Sequence, residues 1–328
     1  MIHKNSFLAF GSALLLSASA ASADPISLVN GFNVMVRQDM TLKADVGGRV
    51  AVGGNATFNG FAVGSGDNAN NGAALAANPS RIDLVVGGHA ALTNGSVNKG
   101  SAQAGTATTH SVGFHTAGSS LTTGGTPSVD FASTFMDLSS LSVDLFDLAG
   151  NGTAVNQWGG LNLTGTDATL NVFTLTTGML SGLNAVNITV PTTSTVLFNV
   201  AGSSLTMQYL GMNVNGQQDN AMSSQMLWNF MDMSQLTLNG LGWRGSILAP
   251  LATVNFANGN INGQVMVNNL YTDWGGEYHN HAFTGDLPVD DVTPPTEPSS
   301  VPEPAGLAAV GVAAMLMARR LKRKNVAQ

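Results

Sequence analysis

Three side chains at alternate positions, Glu277, His279 and His281, are the residues of this sequence whose types and spacing could do chemistry. Carboxylate oxygens and imidazole nitrogens are ligands of zinc and related ions, and alternate residues of a β-strand point to the same side. If the segment is a strand, the three could hold a metal ion, with Asp273 as a further ligand. The favoured hypothesis is that Glu277 and His279 hydrogen-bond to turns, so we predict no metal and no cofactor.

Other acidic residues give weaker signals. The segment Asp67-Asn68-Ala69-Asn70-Asn71-Gly72 is similar to the start of a calcium loop, but its third position is Ala69 and its twelfth is Asn78, where a bidentate Glu is needed. We therefore predict a solvated loop. Asp137, Asp144 and Asp147 alternate with apolar residues and indicate the solvated side of a helix. Without a Gly-x-Ser-x-Gly motif or a cysteine, no catalytic residues are predicted.

The composition favours a folded β-rich domain. Charged residues make up 9% of the chain, against about 25% in a typical soluble domain, and the apolar share of 44% is too high for disorder. The absence of cysteine excludes disulfides and a lipid-anchoring thiol. Between Asp24 and Val301, six Lys or Arg face 18 Asp or Glu, a net charge of −12. Such a surface repels nucleic acid, so no nucleic-acid partner is expected.

Short β-branched or alternating runs predict the strands. They are Arg49–Val52, Ile82–Val86, Thr169–Thr174, Val186–Val190, Thr195–Val200, Gln235–Leu238 and Gln264–Val267. The pattern Val-Gly-Gly-x-Ala occurs at Val52 and again at Val86, and the segment from Gly245 to Val254 has a related small-residue turn. Stacked short strands with tight glycine corners are typical of a β-solenoid. A β-sandwich is the alternative.

One segment breaks the β pattern. Apolar residues recur at spacings of three and four, at Phe131, Phe135, Leu138, Leu141, Leu145 and Leu148, which predicts an amphipathic helix. Thr126 and Pro127 are predicted as its N-cap and first residue, and Gly150-Asn151-Gly152 as its end. We expect this to be the only long helix of the domain, lying along the flank of the β body.

Both ends of the chain indicate export. Residues 1–23 have the form of a signal peptide, with Lys4, an apolar run from Phe7 to Leu16, and small residues Ala21 and Ala23 at the cleavage site. At the other end a Pro-rich linker, 288–300, precedes Val301-Pro302-Glu303-Pro304 and an apolar helix predicted at 305–321 to enter the membrane. A basic cluster follows: Arg319, Arg320, Lys322, Arg323 and Lys324. Because basic residues stay in the cytoplasm, the domain before the helix lies outside.

The order of Pro-Glu-Pro, apolar helix and terminal basic cluster in 301–324 resembles the PEP-CTERM sorting signal of Gram-negative bacteria. The resemblance implies that signal peptidase and an exosortase process the chain, that the inner membrane holds it transiently, and that its destination is the cell surface or extracellular matrix. A plain membrane anchor is the alternative.

A second resemblance covers residues 24–287. The runs from Asp45 to Ala56, Leu197 to Gly202, Leu227 to Phe230, Gly245 to Pro250 and Glu277 to Asn280, with Phe283, Gly285 and the Asp130-Phe131 helix, resemble the choice-of-anchor A family. That family is regarded as an ice-binding-like adhesive domain. The resemblance implies a mainly β fold, a right-handed β-helix with one flanking α-helix.

The binding residues are less defined. Ice binding would need evenly spaced threonines on stacked rungs, and Thr174-Leu175-Thr176 is an isolated instance. The aromatic residues that could stack on sugars are Trp158, Trp228, Trp243, Trp274, Tyr271 and Tyr278. Trp274 and the two tyrosines suit carbohydrate contact, although burial in a capping region is favoured. The leading hypothesis is a non-enzymatic adhesin or biofilm component that contacts extracellular polysaccharide or matrix; the alternative is a carbohydrate-active enzyme on a β-helix.

Overall fold

The structure is a computed structural model that describes residue 29 and residues 31–66, 72–217 and 222–288. The predicted signal peptide with Ala21 and Ala23, nearly all of the 288–300 linker and the sorting tail 301–324 lie outside these residues and stay predictions. No helix within the described ranges is long and apolar enough to cross a membrane.

The described chain is mainly β. Its strands are β1 Phe32–Val36, β2 Met40–Leu42, β3 Asp45–Val46, β4 Arg49–Val52, β5 Ala56–Val63, β6 Ile82–Val97, β7 Ser101–Phe114, β8 Leu121–Thr123, β9 Thr153–Gln157, β10 Gly160–Thr164, β11 Leu170–Thr176, β12 Ala185–Thr189, β13 Thr195–Ala201, β14 Ser204–Gln208, β15 Gly211–Val214, β16 Met226–Asn229, β17 Gln235–Asn239, β18 Gly242–Arg244, β19 Ser246–Ala257, β20 Gly259–Asn262, β21 Val265–Thr272 and β22 Gly276–His279. The helices are α1 Phe131–Phe146 and α2 Thr177–Leu180, with a 3₁₀ turn at Ser223–Gln225.

Parallel pairing arranges these strands as three ladders around one core. The first, which we call the helix face, runs β11–β13–β16–β19–β21–β1–β4–β6–β7–β8. The second, the open face, runs β14–β17–β19–β21–β2–β5–β6–β7. The third face contains β18–β20–β22–β3–β5–β6–β7, beside a four-stranded sheet β15–β12–β10–β9.

This pairing confirms a closed, solenoid-like parallel β core and is not the β-sandwich, whose sheets are antiparallel. All seven predicted strand segments overlap observed strands. Long strands such as β19 and β6 change register where they pass from one face to the next. The predicted right-handed path is not tested and stays a prediction.

The glycine echo marks stacked corners. Val52 pairs with Val86 and Ala56 with Ala90, so the two Val-Gly-Gly-x-Ala segments lie one above the other. A Cβ on Gly87 would come within 2.3 Å of the Gly53 carbonyl oxygen, and one on Gly105 within 2.6 Å of the Gly87 oxygen. Only glycine permits so close an approach of backbones. The related segment behaves likewise, because a Cβ on Gly263 would lie 2.3 Å from the Gly245 oxygen.

The order of rungs in space is not their order in sequence. The first rung, β1 to β3, lies between the last one, β21 and β22, and the rung of β4 and β5. The buried Asn33 links the neighbouring rungs at this junction by hydrogen bonds: its Nδ2 donates to the Gly263 carbonyl at 2.9 Å and its Oδ1 accepts from Gly48 N. The two ends of the described domain therefore meet in the middle of the stack.

Inward side chains form stacked rows of apolar residues. Phe173, Phe198 and Trp228 occupy one row, with ring centroids 5.4 and 3.9 Å apart, and Trp243 follows at 4.8 Å. All four are fully buried. Aromatic stacking of this kind adds to the stabilisation that burial alone provides.

Helix α1 packs against the helix face and forms a second apolar core. Its buried residues Phe135, Leu138, Leu141 and Leu145 meet strand residues such as Leu248, Met266, Met35 and Val85. Polar bonds fix its position: Ser142 Oγ donates to Asn229 Oδ1 at 2.5 Å, and Asn199 Nδ2 donates to the Leu145 carbonyl at 2.6 Å. The expected flanking helix is confirmed, and it is the only helix longer than four residues within the described ranges.

The predicted start of this helix is wrong. The N-cap is Asp130, whose carboxylate accepts from Ser133 N at 3.1 Å, and not Thr126. The chain before it is held by β7 instead, because Gln103 donates to the Thr126 carbonyl and accepts from Ser128 N. These contacts hold residues 126–128 outside the helix, which begins about one turn later than predicted.

Candidate functional site

The structure brings together two of the three candidate metal ligands. Strand β22 places Glu277 and His279 side by side, with His279 Nε2 3.1 Å from a Glu277 oxygen and Nδ1 2.6 Å from Asn262 Oδ1. His281 lies after the strand, its ring centroid 6.4 Å from that of His279. Asp273, the further candidate, bonds to Lys43 Nζ at 2.9 Å. Within the described residues, no three His, Asp or Glu side chains are placed to hold a metal ion.

Glu277 also faces a second carboxylate. Parallel pairing of β22 with β3 sets Glu277 beside Asp45. Asp45 is exposed as a residue, but partial burial of its carboxylate raises its pKa above the ordinary value, and the charge of Glu277 adds to the rise, while a backbone hydrogen bond from Ala62 opposes it. The cluster is a polar ladder of neighbouring strands, in which His279 is held by hydrogen bonds on both ring nitrogens.

The other acidic candidates do not form a site. Residues 67–71 of the calcium-like segment lie outside the described residues. On α1, Asp144 and Asp147 are exposed and Asp137 is half-buried, as expected for the solvated side of the helix. Asp147 is the C-cap residue of α1.

A row of outward side chains crosses the open face. Strand register aligns eight of them on neighbouring strands: Thr206, Thr237, Asn255, Tyr271, Thr41, Thr57, Ala91 and Thr108. All are exposed or half-buried. Strands in a sheet lie about 4.8 Å apart, so five threonines stand at regular multiples of that distance. We call these eight residues the threonine row.

Sequence reasoning missed this row, although it looked for spaced threonines. Thr41 and Tyr271 are neighbours across β2 and β21, from opposite ends of the domain. The signal in the sequence is the alternation of buried and open positions in β5 and in the second half of β19. Alternation shows that one side of a strand is open, but it does not reveal which strands are neighbours.

Beside the threonine row the surface dips. The next outward row contains Gln208, Asn239 and Ala257 on β14, β17 and β19, and Ala257 is the small side chain in it. A concavity of about 440 Å³ lies there, bounded by residues that include Asn239, Tyr271 and Asp273.

Exposed aromatic residues lie in and next to that dip: Tyr271 lines it, Tyr209 contacts its lining residue Asn239, and Trp274 follows its lining residue Asp273. Tyr271 is 40% exposed, Trp274 58% and Tyr209 71%. Burial of Trp274 and Tyr271 in a cap was the favoured prediction, and it is wrong for both. Tyr278, Trp228 and Trp243 are buried in the core. Trp158 is 92% exposed, at the turn between β9 and β10.

One ion pair stands among the aromatics. Asp273 accepts from Lys43 Nζ at 2.9 Å and from Trp274 N at 3.0 Å. The hydrogen bond from Lys43 contributes most to lowering the pKa of Asp273, and the bond from Trp274 N contributes next. The carboxylate is therefore ionised and held in place beside Tyr271.

The fold and this surface define a class: a parallel β-solenoid with a polar face that none of its described elements covers. A family model places the chain more closely, because the ice-binding-like adhesive domain family matches residues 25–280. The chain belongs to that family. Its members are of a surface-binding, non-enzymatic kind, which indicates an extracellular or surface protein.

Solved structures give a distant likeness. An ice-binding protein of the Antarctic ascomycete Antarctomyces psychrotrophicus aligns at 12% identity and a TM-score of 0.35, covering 77% of this chain and 95% of that one. An ice-binding protein from an Antarctic biological consortium aligns at 11% and 0.36, covering 81% and 95%. No curated protein matches the chain.

Proposed function

We propose that this protein is an exported, non-enzymatic adhesin or biofilm component of a bacterial cell surface or extracellular matrix. The observation that carries the proposal is the open face of an adhesive-family domain, whose polar outer side chains no other described element covers. In a solenoid the stacked rungs bury a shared core on their inner side, so the outer residues of a parallel face are available for contact.

The open face is the contact surface in this proposal. Its residues lie on paired strands, so the surface is part of the stack and not of a loop. Binding residues held on such a scaffold lose little conformational entropy when they meet a ligand.

Export and sorting are part of the same proposal. Signal peptidase removes residues 1–23, and an exosortase of a Gram-negative bacterium recognises Val301-Pro302-Glu303-Pro304. The two prolines support this, because a proline has no N–H donor and favours an extended conformation of the residue before it, which suits a site that a membrane protease must read. Arg319 to Lys324 hold the tail in the inner membrane until cleavage, since basic charges are costly to move into the bilayer.

Adhesion is tested with one added charge on each of two faces. Thr57→Lys places a cation in the threonine row, and Gln157→Lys places the same charge on the exposed edge strand β9. Retention of the purified full chain on a biofilm of the parent strain should fall at least tenfold for Thr57→Lys and stay unchanged for Gln157→Lys. Equal loss, or no loss in either, would remove the open face as the contact surface.

Sorting is tested by mass spectrometry of the surface and secreted fractions. The mature wild-type protein should lack the Ala305 to Lys324 peptide. Deleting Pro302-Glu303-Pro304 should leave the protein in the inner membrane with its domain still folded outside. A wild-type protein that keeps the peptide would make the segment a plain anchor.

The alternative, a carbohydrate-active enzyme, has a direct test. The purified protein is incubated with a polysaccharide panel and the reducing ends are measured. We expect no turnover; turnover that Glu277→Gln abolishes would replace adhesion with catalysis at the Glu277 and Asp45 pair.

A further inference from the structure

Two exposed aromatic rings lie against glycines where the open face turns into the third face. A Cβ on Gly240 would lie 2.5 Å from the Tyr209 ring, and one on Gly60 would lie 2.8 Å from the Trp274 ring. Both glycines have positive φ, 67° in each case. Glycine at these positions therefore makes room for the rings as well as for the turns.

The rings mark the two ends of a trough. Gly240 follows β17 and Gly60 lies in β5, and the strands between them are β19, β21 and β2. The concavity between the rings is lined by residues of β17, β19, β21 and β2 and the residues that follow them, and three strand spacings of about 4.8 Å make it about 14 Å long. Tyr271 stands midway, on β21. An oligosaccharide fits this length better than a single sugar does.

The floor and walls between the rings are suited to hydroxyl groups. Ala257 forms the low floor, and Asn239 lies beside it. The Asn239 Oδ1 accepts from Asn258 Nδ2 at 3.0 Å, and its Nδ2 donates to the Tyr209 hydroxyl at 3.4 Å. Asp273 is fixed by Lys43 and Trp274 N. Fixed amides and a carboxylate next to exposed rings are a combination that an oligosaccharide satisfies, because a sugar ring has an apolar C–H face and a rim of hydroxyls.

Charge selects among polysaccharides. Lys43 and Asp273 form a pair at 2.9 Å, so the trough is locally neutral. The exported part of the chain carries a net charge of −12, which repels an acidic polymer.

We call this trough the corner groove and define it by six residues: Tyr209, Asn239, Ala257, Tyr271, Asp273 and Trp274. Resting on the proposed adhesive function, we propose that the corner groove binds neutral polysaccharide along the solenoid axis. The aromatic rings stack on sugar faces, and Asn239 and Asp273 bind the hydroxyls.

The experiment is affinity electrophoresis of the full chain in mild detergent through gels that contain xylan, hydroxyethyl cellulose, galactomannan or, as the acidic polymer, alginate. Three variants probe the groove. Tyr271→Thr continues the neighbouring threonines, Trp274→Ala removes a ring at the end, and Ala257→Gln fills the floor with the side chain that Gln208 already places in that row. Trp158→Ala is the matched control, an exposed aromatic on another sheet.

Fluorescence adds a local readout. Of the four tryptophans, Trp228 and Trp243 are fully buried, so in the Trp158→Ala background Trp274 is the exposed one. Its emission should change as the bound polysaccharide is titrated.

We expect at least one neutral polymer to retard the protein, a loss of about tenfold in affinity for Tyr271→Thr and Trp274→Ala, a larger loss for Ala257→Gln, and none for Trp158→Ala. Retardation by alginate alone, equal loss in the control, or no binding by any polymer would overturn the corner groove. Biofilm retention of the same samples separates the two proposals. If the groove variants are retained as well as the wild type, adhesion stands and the corner groove is contradicted. If the wild type is not retained, adhesion itself is contradicted.

Discussion

The helix face and the open face are built from partly the same strands, yet among the described elements a helix covers the first and nothing covers the second. In β19 the first residues, Ser246–Pro250, are all buried, whereas buried and open positions alternate from Leu251 onward. Outward positions on the helix face are occupied by Leu248, Met266 and Met35, which α1 covers. On the open face seven of the eight residues of the threonine row are threonine, asparagine or tyrosine, and the eighth is Ala91. The outer row, and not the inner core, decides which face is free to bind.

The largest difference should appear when a charge enters the covered face. Leu138 is fully buried between α1 and the strands. Leu138→Asp should lower the free energy of unfolding by several kcal/mol, because it puts an unpaired charge in an apolar contact. Met136→Asp, on the same helix at a position that is 67% exposed, is the control and should change it little. Thermal melting measures both, and an unchanged Leu138→Asp melting temperature would contradict the packing of α1.

Substitution of one buried and one exposed asparagine tests the same contrast between the two faces without adding a charge. Asn229 donates to the Ser142 carbonyl at 2.8 Å and to Asn199 Oδ1 at 3.0 Å, both buried. Asn229→Ala should cost about 1–3 kcal/mol, since it leaves buried partners unsatisfied. Asn255→Ala, on the open face, should stay within about 0.5 kcal/mol. Urea denaturation decides, and equal costs would erase the distinction between the two faces.

The third face adds a pH-dependent comparison. The pKa of Asp45 is raised in the folded protein, so its contribution to stability is complete below the unfolded value of 3.8 and is lost as pH rises through the folded value. Above the folded-state pKa, the ionised Asp45 carboxylate beside Glu277 is unfavourable. Asp45→Asn should raise the melting temperature at pH 7 by about 1–3 °C and leave it unchanged at pH 3. A gain that is the same at both values would exclude the carboxylate as its cause.

The smallest effect is expected for ice. Asn255 and Tyr271 interrupt the threonine row, so the wild-type protein should show no thermal hysteresis. The double variant Asn255→Thr with Tyr271→Thr makes the row continuous over six strands and is where a weak signal would first appear. Hysteresis in the wild type would show that the interruptions do not matter.

Local features of the fold were predictable from sequence. Each predicted strand has β-branched or alternating residues that pack on the inner rows, and the spacing of Phe135, Leu138, Leu141 and Leu145 identified the buried side of α1. The start of α1 was missed because Gln103, far away in sequence, holds residues 126–128. Asp130 is itself a preferred N-cap residue, so that signal was present and outweighed by Pro127.

The candidate site could be predicted only in part. Glu277 and His279 are neighbours because they share one strand, which sequence spacing shows. The corner groove contains Tyr209, Ala257 and Trp274, which the register between separate rungs places along one edge of the open face. Spacing along the chain carries no information on that register, because the rungs differ in length and the first rung is inserted beside the last.

That insertion governs the order in which the domain can fold. Strands β1 to β3 are synthesised first, but their partners β21 and β22 follow about 230 positions later, as the Asn33 to Gly263 bond shows. Contacts between such distant residues make folding slow. The first rung therefore lacks one of its two neighbours until nearly the whole domain has been synthesised. Pairing of β21 and β22 with the first rung is then the step that completes the stack.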